Sequence, residues 1–267
     1  MRIPYEDRFA DLEPLLARVE KPSRYIDHEW GTLSKDDADY RACLIYPDTY
    51  EVGLPNQGIA ILYNVLNKQE GISCERGYVP WVDMADAMRE AGVPLLSLEG
   101  AAPVASFDVV GFHVPHEMAC TNYLEAMDLA GIPFYSADRG EDDPIIIAGG
   151  PSVYNPEPLA PFFDAILIGE GEESIVEVCR EHQRLRDAGA TRQEILRGLA
   201  RVAGTYVPSL YEIKYDEPCT EHGYAVPREG EDVPEVVYKR VVEDFGATDP
   251  LSQSVIPYAQ LVHDRLS

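Results

Sequence analysis

Cysteines are few in this sequence, and none lies close to another. The five stand at positions 43, 74, 120, 179 and 219. This spacing excludes a CxxC zinc site and a CxxxCxxC iron–sulfur site within the chain, because both need thiolates a few residues apart. A scattered, odd-numbered set in a chain without a signal peptide favours a reducing compartment, so we predict a cytoplasmic protein.

Basic residues are also scarce. The 267 residues include 22 Lys and Arg against 47 Asp and Glu, which gives a formal net charge of −25. Sequence-independent binding of DNA or RNA needs clustered cations, so we expect no direct nucleic-acid binding. No apolar run approaches the length that spans a bilayer, and we expect no membrane segment.

Common catalytic signatures are missing as well. The chain contains no GxSxG, HExxH, P-loop or GxGxxG motif. The usual sequence evidence for a serine hydrolase, a zinc protease or a nucleotide-binding enzyme is therefore absent. Candidate functional residues have to be inferred from the order of strands, helices and loops.

Short β-branched runs alternate with helical patterns between residues 41 and 203. The predicted strands are Arg41–Tyr46, Cys74–Val79, Val93–Leu98, Asp108–Val114, Ile145–Ile147 and Ala165–Ile168. Helices are predicted near 57–69 and at 84–91, 118–130, 172–187 and 192–203, the last with a capping box of Thr191 and Glu194. The alternation predicts an α/β fold with a doubly wound parallel sheet, Rossmann- or flavodoxin-like.

Different patterns precede and follow this α/β domain (41–203). Residues 1–40 form a polar lead with one short amphipathic helix. Residues 204–267 predict a small antiparallel, β-rich appendage and a connector, with strand-like segments at Tyr206–Tyr215, Gly223–Val226 and Val236–Val242. If this appendage normally packs on another domain, its apolar residues are exposed in this chain, and we expect self-association.

Two glycine pairs follow successive predicted strands. Gly149 and Gly150 precede Pro151, and Gly169 and Gly171 flank Glu170. In an open α/β sheet, ligands bind outside the carboxyl ends of the strands, and glycine there permits close approach of the backbone. A glycine pair is also compatible with a plain tight turn. The acidic residues at 170–173 would repel a phosphate, and they also suit the first turn of a helix.

Two further loops should meet the glycine loops at the same edge of the sheet. The loop at 47–56 follows the first strand, and the loop at 113–117 follows the central one. His113, His116 and Glu117 could form a metal or acid–base cluster. A loop histidine near a strand end is more often a hydrogen-bonded surface residue, and both interpretations stay open.

The glycine loops resemble a known family. IIIAGGP at 145–151 and NPEPLAPFFDAILIGEGEESI at 155–175 resemble the cobalamin-binding-like N-terminal domain of radical S-adenosylmethionine (SAM) proteins. The similarity extends to GLPN at 53–56, YVPSLY at 206–211, KRVV at 239–242 and PYAQLVHDR at 257–265. It implies a cofactor site at the matching positions, which are Asp48, Tyr50, Gly53, Asn56, His113, Gly149, Gly150, Pro151, Gly169, Glu170 and Gly171.

Two departures from the family's pattern bear on the cofactor. Proteins that bind cobalamin through a histidine carry DxHxxG after the first strand, whereas residues 48–53 read DTYEVG here, with Tyr50 in the histidine position. A phenol with a pKa near ~10 is a poor neutral ligand for cobalt. The family's SxL, after the central strand, is His113-Val114-Pro115. The resemblance therefore implies cobalamin bound base-off and without a histidine ligand from the first loop.

The resemblance also implies a partner. The match ends where the family continues into a radical SAM barrel, so we expect the [4Fe–4S] cluster and SAM to belong to a barrel that this chain lacks. The chain alone should not be catalytic. Two alternatives are a cofactor-free domain that docks on the barrel and a flavodoxin-like flavin binder.

Overall fold

The structure is a computed structural model that describes residues 5–27, 29–33, 35, 37–215, 223–243 and 255. Its centre is a six-stranded sheet in the order β2-β1-β3-β4-β5-β6. The strands are β1 (Tyr40–Tyr46), β2 (Ile72–Tyr78), β3 (Val109–His113), β4 (Ile145–Gly149), β5 (Ala165–Leu167) and β6 (Thr205–Tyr206). The first five run parallel, and β6 is antiparallel to β5. This is the flavodoxin-like order, and it confirms the predicted doubly wound parallel sheet.

Helices cover both faces of the sheet. They are α1 (Tyr5–Leu16), α2 (Tyr50–Gly53, a single turn), α3 (Gln57–Asn67), α4 (Val82–Ala91), α5 (Cys120–Ala130), α6 (Gly171–Asp187) and α7 (Arg192–Leu199). The winding direction reverses between β1 and β3, so right-handed crossovers put α3 and α5 on opposite faces. Helix α3 packs against α6, and α4 packs against α1 and α5. The predicted lead helix and the capping box of α7 are both present.

No helix of the described ranges is both long and apolar enough to pass through a bilayer.

The strand predicted at Val93–Leu98 is wrong. This segment makes only an isolated antiparallel bridge between Leu96 and Pro103, and Leu98 donates its N–H to the carbonyl of Arg76 at 2.7 Å. A ladder would need regularly spaced donors, and Pro94 has no N–H to contribute. The apolar run instead covers the outer side of β2 without extending the sheet.

The appendage is smaller than predicted. The expected strand Tyr206–Tyr215 is interrupted by a 3-10 turn at Pro208–Leu210, so Tyr206 belongs to β6 in the main sheet. The rest forms a hairpin of β7 (Tyr211–Tyr215) and β8 (Gly223–Pro227), which confirms an antiparallel unit. The segment Val236–Val242 is not a strand, since its described pairing is one bridge at Arg240. The connector at 257–265 lies outside the described residues.

A buried ion cluster fixes the amino end of the sheet. Asp164, only 1% exposed, precedes β5 and accepts hydrogen bonds from Arg139 at 3.0 Å and Arg192 at 2.7 Å. It also accepts from the hydroxyl of Ser136 at 2.5 Å and from the N–H of Ile146 at 2.7 Å. One carboxylate thus joins β4, β5, α7 and the loop between α5 and β4.

We predict that Asp164→Asn destabilises the protein by about 3–5 kcal/mol, because it leaves two buried guanidinium groups without an anion. Asp187→Asn removes an exposed partner of Arg186 and should cost less than about 1 kcal/mol. Urea denaturation of both variants checks this. Equal losses in the two variants would contradict a dominant role for the buried cluster.

Candidate functional site

A cavity opens at the carboxyl edge of the sheet, between the sheet face and helices α3 and α6. Its volume is about 180 Å³. Its apolar wall is formed by Leu44, Ile59, Leu62, Ile147, Leu167 and Ile175. Six glycines also line the cavity, at positions 58, 111, 149, 150, 169 and 171. The sequence therefore predicted both glycine loops at this edge, and the structure brings them together around one space.

The glycines of the strands create the space. A Cβ on Gly111, in the middle of β3, would lie 2.9 Å from Cδ2 of Leu44. At Gly149, at the end of β4, the nearest atoms to an ideal Cβ outside the adjacent residues belong to Leu167, at 3.9 Å. A larger side chain at either position would occupy the cavity or displace its wall. The absence of a side chain at Gly149 leaves the space open, whereas at Gly111 it makes room for Leu44 and Ile147.

Gly150 holds a conformation that other residues rarely adopt. Its φ is +124°, and an ideal Cβ would lie 2.9 Å from the carbonyl oxygen of Val114 and 3.2 Å from Cε1 of His113. The chain then turns into a 3-10 segment that begins at Pro151, which is exposed and does not line the cavity. Gly150 thus lets the β4 loop pass close to the end of β3.

Gly169 lines the cavity and also lies directly beneath another segment of the chain. Its φ is +111°, and a Cβ would lie 2.2 Å from the carbonyl oxygen of Arg240. Arg240 donates its N–H to Ile168 at 2.8 Å, and Glu170 donates its N–H to Arg240 at 3.1 Å. The backbone around residue 240 therefore crosses directly over this loop, and that contact alone requires glycine at 169.

The acidic residues after β5 are tied to the same crossing segment. The carboxylate of Glu170 accepts the N–H of Val242, and the guanidinium of Arg240 binds Glu173 and Glu177 at 2.7 Å each. Gly171 begins α6, and its ideal Cβ would lie 3.2 Å from Leu62 of α3. These residues fasten the first turn of α6, which sequence analysis of the single loop missed because Arg240 is 70 residues away.

His113 is the polar side chain at the inner wall of the cavity. It ends β3 and stacks on Tyr46, with ring centroids 5.4 Å apart and planes 20° apart. Burial lowers the pKa of His113 to about 4, so the imidazole is neutral at pH 7. Among the residues that the structure describes, neither ring nitrogen of His113 has a hydrogen-bond partner. The inner wall of the cavity therefore carries one uncharged donor and one uncharged acceptor.

The other residues of the hypothetical metal cluster do not join His113. His116 and Glu117 are exposed on the loop that leads into α5. Within the described ranges, no group of three His, Cys, Asp or Glu side chains is arranged to hold a metal ion.

The loop after β1 is turned toward the protein interior. Tyr50 is 2% exposed, and its hydroxyl donates to the carboxylate of Glu29. Burial, followed by the hydrogen bond to Glu29, raises the pKa of Tyr50 far above its usual range. The phenol is neutral, its hydroxyl is already hydrogen-bonded to Glu29, and Tyr50 does not line the cavity.

The remaining predicted residues of this loop have local structural contacts. The carboxylate of Asp48 accepts the N–H of Thr49 at 2.7 Å, and the side chain of Asn56 caps α3 by accepting the N–H of Ile59 at 3.0 Å. A Cβ on Gly53 would lie 2.7 Å from the ring of Tyr78. None of these three residues lines the cavity, and these contacts hold the loop in place.

A buried charge network supports this loop from below. The guanidinium of Arg76, on β2, donates to Glu29 at 2.5 Å and to Glu99 at 2.6 Å. Arg24 reaches both carboxylate oxygens of Glu51 at 2.8 Å. The N-terminal lead therefore holds the β1 loop through two carboxylates. Sequence analysis missed this network, since its members are separated by 20 residues or more.

The fold and the cavity together define an open α/β domain with a ligand-sized space at its switch-point edge. Residues 58–208, more than half of the chain, match the family described as "Radical SAM proteins, N-terminal". The chain belongs to this family of N-terminal domains of radical SAM proteins. No curated protein matches the chain in sequence.

We predict that Gly169→Ala costs more than about 3 kcal/mol, because it combines a forbidden φ with a backbone collision at Arg240. Gly189→Ala is the matched control. Its φ is +73° with no heavy atom within 4 Å of the ideal Cβ, so it should cost only about 1–2 kcal/mol. Chemical denaturation measures both. If the two substitutions cost the same, the crossing segment does not constrain Gly169.

We predict that Glu99 gives the stability a distinctive pH dependence. Burial raises the pKa of Glu99 to about 7, with Glu75 adding to the rise and Arg76 opposing it. The folded state thus holds this proton more tightly than the unfolded state, and stability is lost as the pH rises from about 4.5 to 7.

Glu99→Gln cannot titrate, so its free energy of unfolding relative to wild type should rise by about 2 kcal/mol between pH 5 and pH 8. Glu229→Gln, at an exposed position, provides the control. A difference between Glu99→Gln and wild type that stays constant with pH would contradict the prediction.

Proposed function

We propose that this N-terminal domain binds cobalamin, base-off and without a histidine ligand from the β1 loop, and presents it to a radical SAM barrel. The observation that supports this most strongly is the apolar cavity of about 180 Å³ beneath the glycine loops. A flat apolar group, such as the benzimidazole end of the cofactor's nucleotide tail, suits a wall built from glycines and aliphatic side chains. When bound, cobalamin supplies organometallic and radical chemistry.

The contacts of the β1 loop support cobalamin binding without a lower histidine ligand. Tyr50 takes the position of that ligand in the related motif, and its hydroxyl is buried against Glu29. Releasing it would leave the carboxylate of Glu29 with one partner fewer inside the protein, which is unfavourable. In this proposal the β1 loop lies beside the cavity, keeps its buried contacts and supplies no ligand to the cobalt.

The course of the segment after the hairpin supports a barrel that lies next to the cavity mouth. Residues 239–243 cross the carboxyl edge beside Gly169, fixed by the bonds of Arg240 to Ile168 and Glu170. The chain is therefore held next to the cavity mouth. We propose that the barrel carries the [4Fe–4S] cluster and SAM, since this chain has no CxxxCxxC motif, and that the domain is not catalytic alone.

A second candidate function is a cofactor-free docking domain for the barrel. Large exposed apolar side chains follow several strands at this edge, which favours a protein contact. They are Trp81 after β2, Met118 after β3, Tyr154 after β4, and Val241 beside the β5 loop. Flavin mononucleotide is disfavoured, because Glu170 and Glu172 at the mouth repel its doubly charged terminal phosphate more strongly than the singly charged phosphodiester of the cobalamin tail.

Titration with hydroxocobalamin tests the proposal. We expect saturable binding by calorimetry and a base-off visible spectrum, with no comparable binding of flavin mononucleotide. A folded chain that binds no cobalamin at high micromolar concentration would refute the cofactor proposal, and the docking function would then lead.

We predict that Gly149→Val weakens cobalamin binding at least about tenfold, because the new side chain fills the cavity. Its backbone φ is not positive, and the nearest atom to an ideal Cβ is 3.9 Å away, so the fold should tolerate it. Gly140→Val is matched in these respects, with its nearest atom, on Asp143, also at 3.9 Å, but Gly140 does not line the cavity. Equal affinities for the two variants would locate the cofactor elsewhere.

A further inference from the structure

His113 is distinguished from the other polar residues of the cavity. Glu170 and Glu172 lie at the start of α6, and Glu170 is already bonded to Val242. His113 instead ends a central strand and faces the space that glycines keep open, with ideal Cβ positions of Gly58 and Gly150 at 3.7 and 3.2 Å from its Cε1. No residue of the described ranges donates a hydrogen bond to its ring or accepts one from it.

We infer that His113 selects the ligand, by hydrogen bonding to a ring nitrogen of a flat aromatic heterocycle buried in the cavity. This inference rests on the proposed function and assigns the contact that gives that site its specificity. A neutral imidazole carries one N–H donor and one acceptor, so it matches a heterocycle nitrogen of either kind. A ligand of the same shape without nitrogen would leave the imidazole desolvated and unpaired.

The surroundings of the ring favour this contact over metal coordination. The imidazole is held on one face by Tyr46 and packs near Gly58 and Gly150, so it belongs to the wall of the narrow cavity. A corrin ring is far too broad for a space of about 180 Å³ and would remain outside it. The buried tail therefore meets His113 while the cobalt stays outside.

The first experiment compares cobalamin with cobinamide, which lacks the nucleotide tail, by calorimetry and visible spectroscopy on the full chain. We expect wild type to bind cobalamin at least about tenfold more tightly. His113→Phe keeps the stacking on Tyr46 but removes both nitrogens. It should weaken cobalamin binding about three- to tenfold and leave cobinamide unchanged. His116→Phe, on the adjacent exposed loop, is the matched control and should change neither affinity.

His113→Gln restores a donor and an acceptor, and it should recover part of the affinity for cobalamin. Wild-type affinity for cobalamin in His113→Phe would overturn the inference while leaving the cavity proposal intact. If the wild-type spectrum shows a nitrogen ligand on cobalt and His113→Phe loses that feature, His113 coordinates the cobalt, and the inference of a hydrogen bond is overturned.

A second measurement separates this inference from the proposed function. If wild type binds neither corrinoid, the proposed function fails, and the cavity is then probed with 5,6-dimethylbenzimidazole and 2,3-dimethylnaphthalene by NMR. Preference for the heterocycle, abolished in His113→Phe and kept in His116→Phe, would support the inference. Equal binding of the two fragments, or binding of neither, would overturn it.

Discussion

The pairing of Arg76 is the interaction on which the switch-point side of this domain depends. A guanidinium inside a parallel sheet is unfavourable unless hydrogen-bond acceptors surround it, and the carboxyl groups of Glu29 and Glu99 supply them at 2.5 and 2.6 Å. Glu29 also accepts the hydroxyl of Tyr50. The N-terminal lead, the edge strand and the β1 loop therefore have to assemble together, and the loop is fixed before any ligand arrives.

The glycines at the carboxyl edge serve two purposes that look identical in sequence. Gly149 leaves open space beside the sheet, and that space is available to a ligand. Gly111, Gly53 and Gly169 are required by the protein's own packing, against Leu44, Tyr78 and Arg240 respectively. Only Gly149 is direct evidence for a binding site. A glycine-rich loop is thus partly a structural requirement of the domain.

Much of the fold followed from local pattern, because strand and helix periodicity report burial over a few residues. The alternation between 41 and 203 predicted the parallel sheet, and the strand ends placed Gly149, Gly150 and His113 at one edge. The strand expected at Val93–Leu98 was wrong because an apolar run does not reveal whether its N–H groups find a ladder. Contacts such as Glu29 with Arg76 and Gly169 with Arg240 join distant residues, and no local pattern encodes them.

The crossing of residue 240 over the β5 loop has a consequence for any domain attached beyond it. The crossing holds residue 240 at the cavity mouth, not on the far side of the hairpin, and Val255 further along the chain also packs against the core. A partner held by a short tether experiences an effective concentration in the millimolar range at such a point. Even weak surface complementarity would then suffice to keep it seated over the cavity, and it could still detach and return without diffusing away.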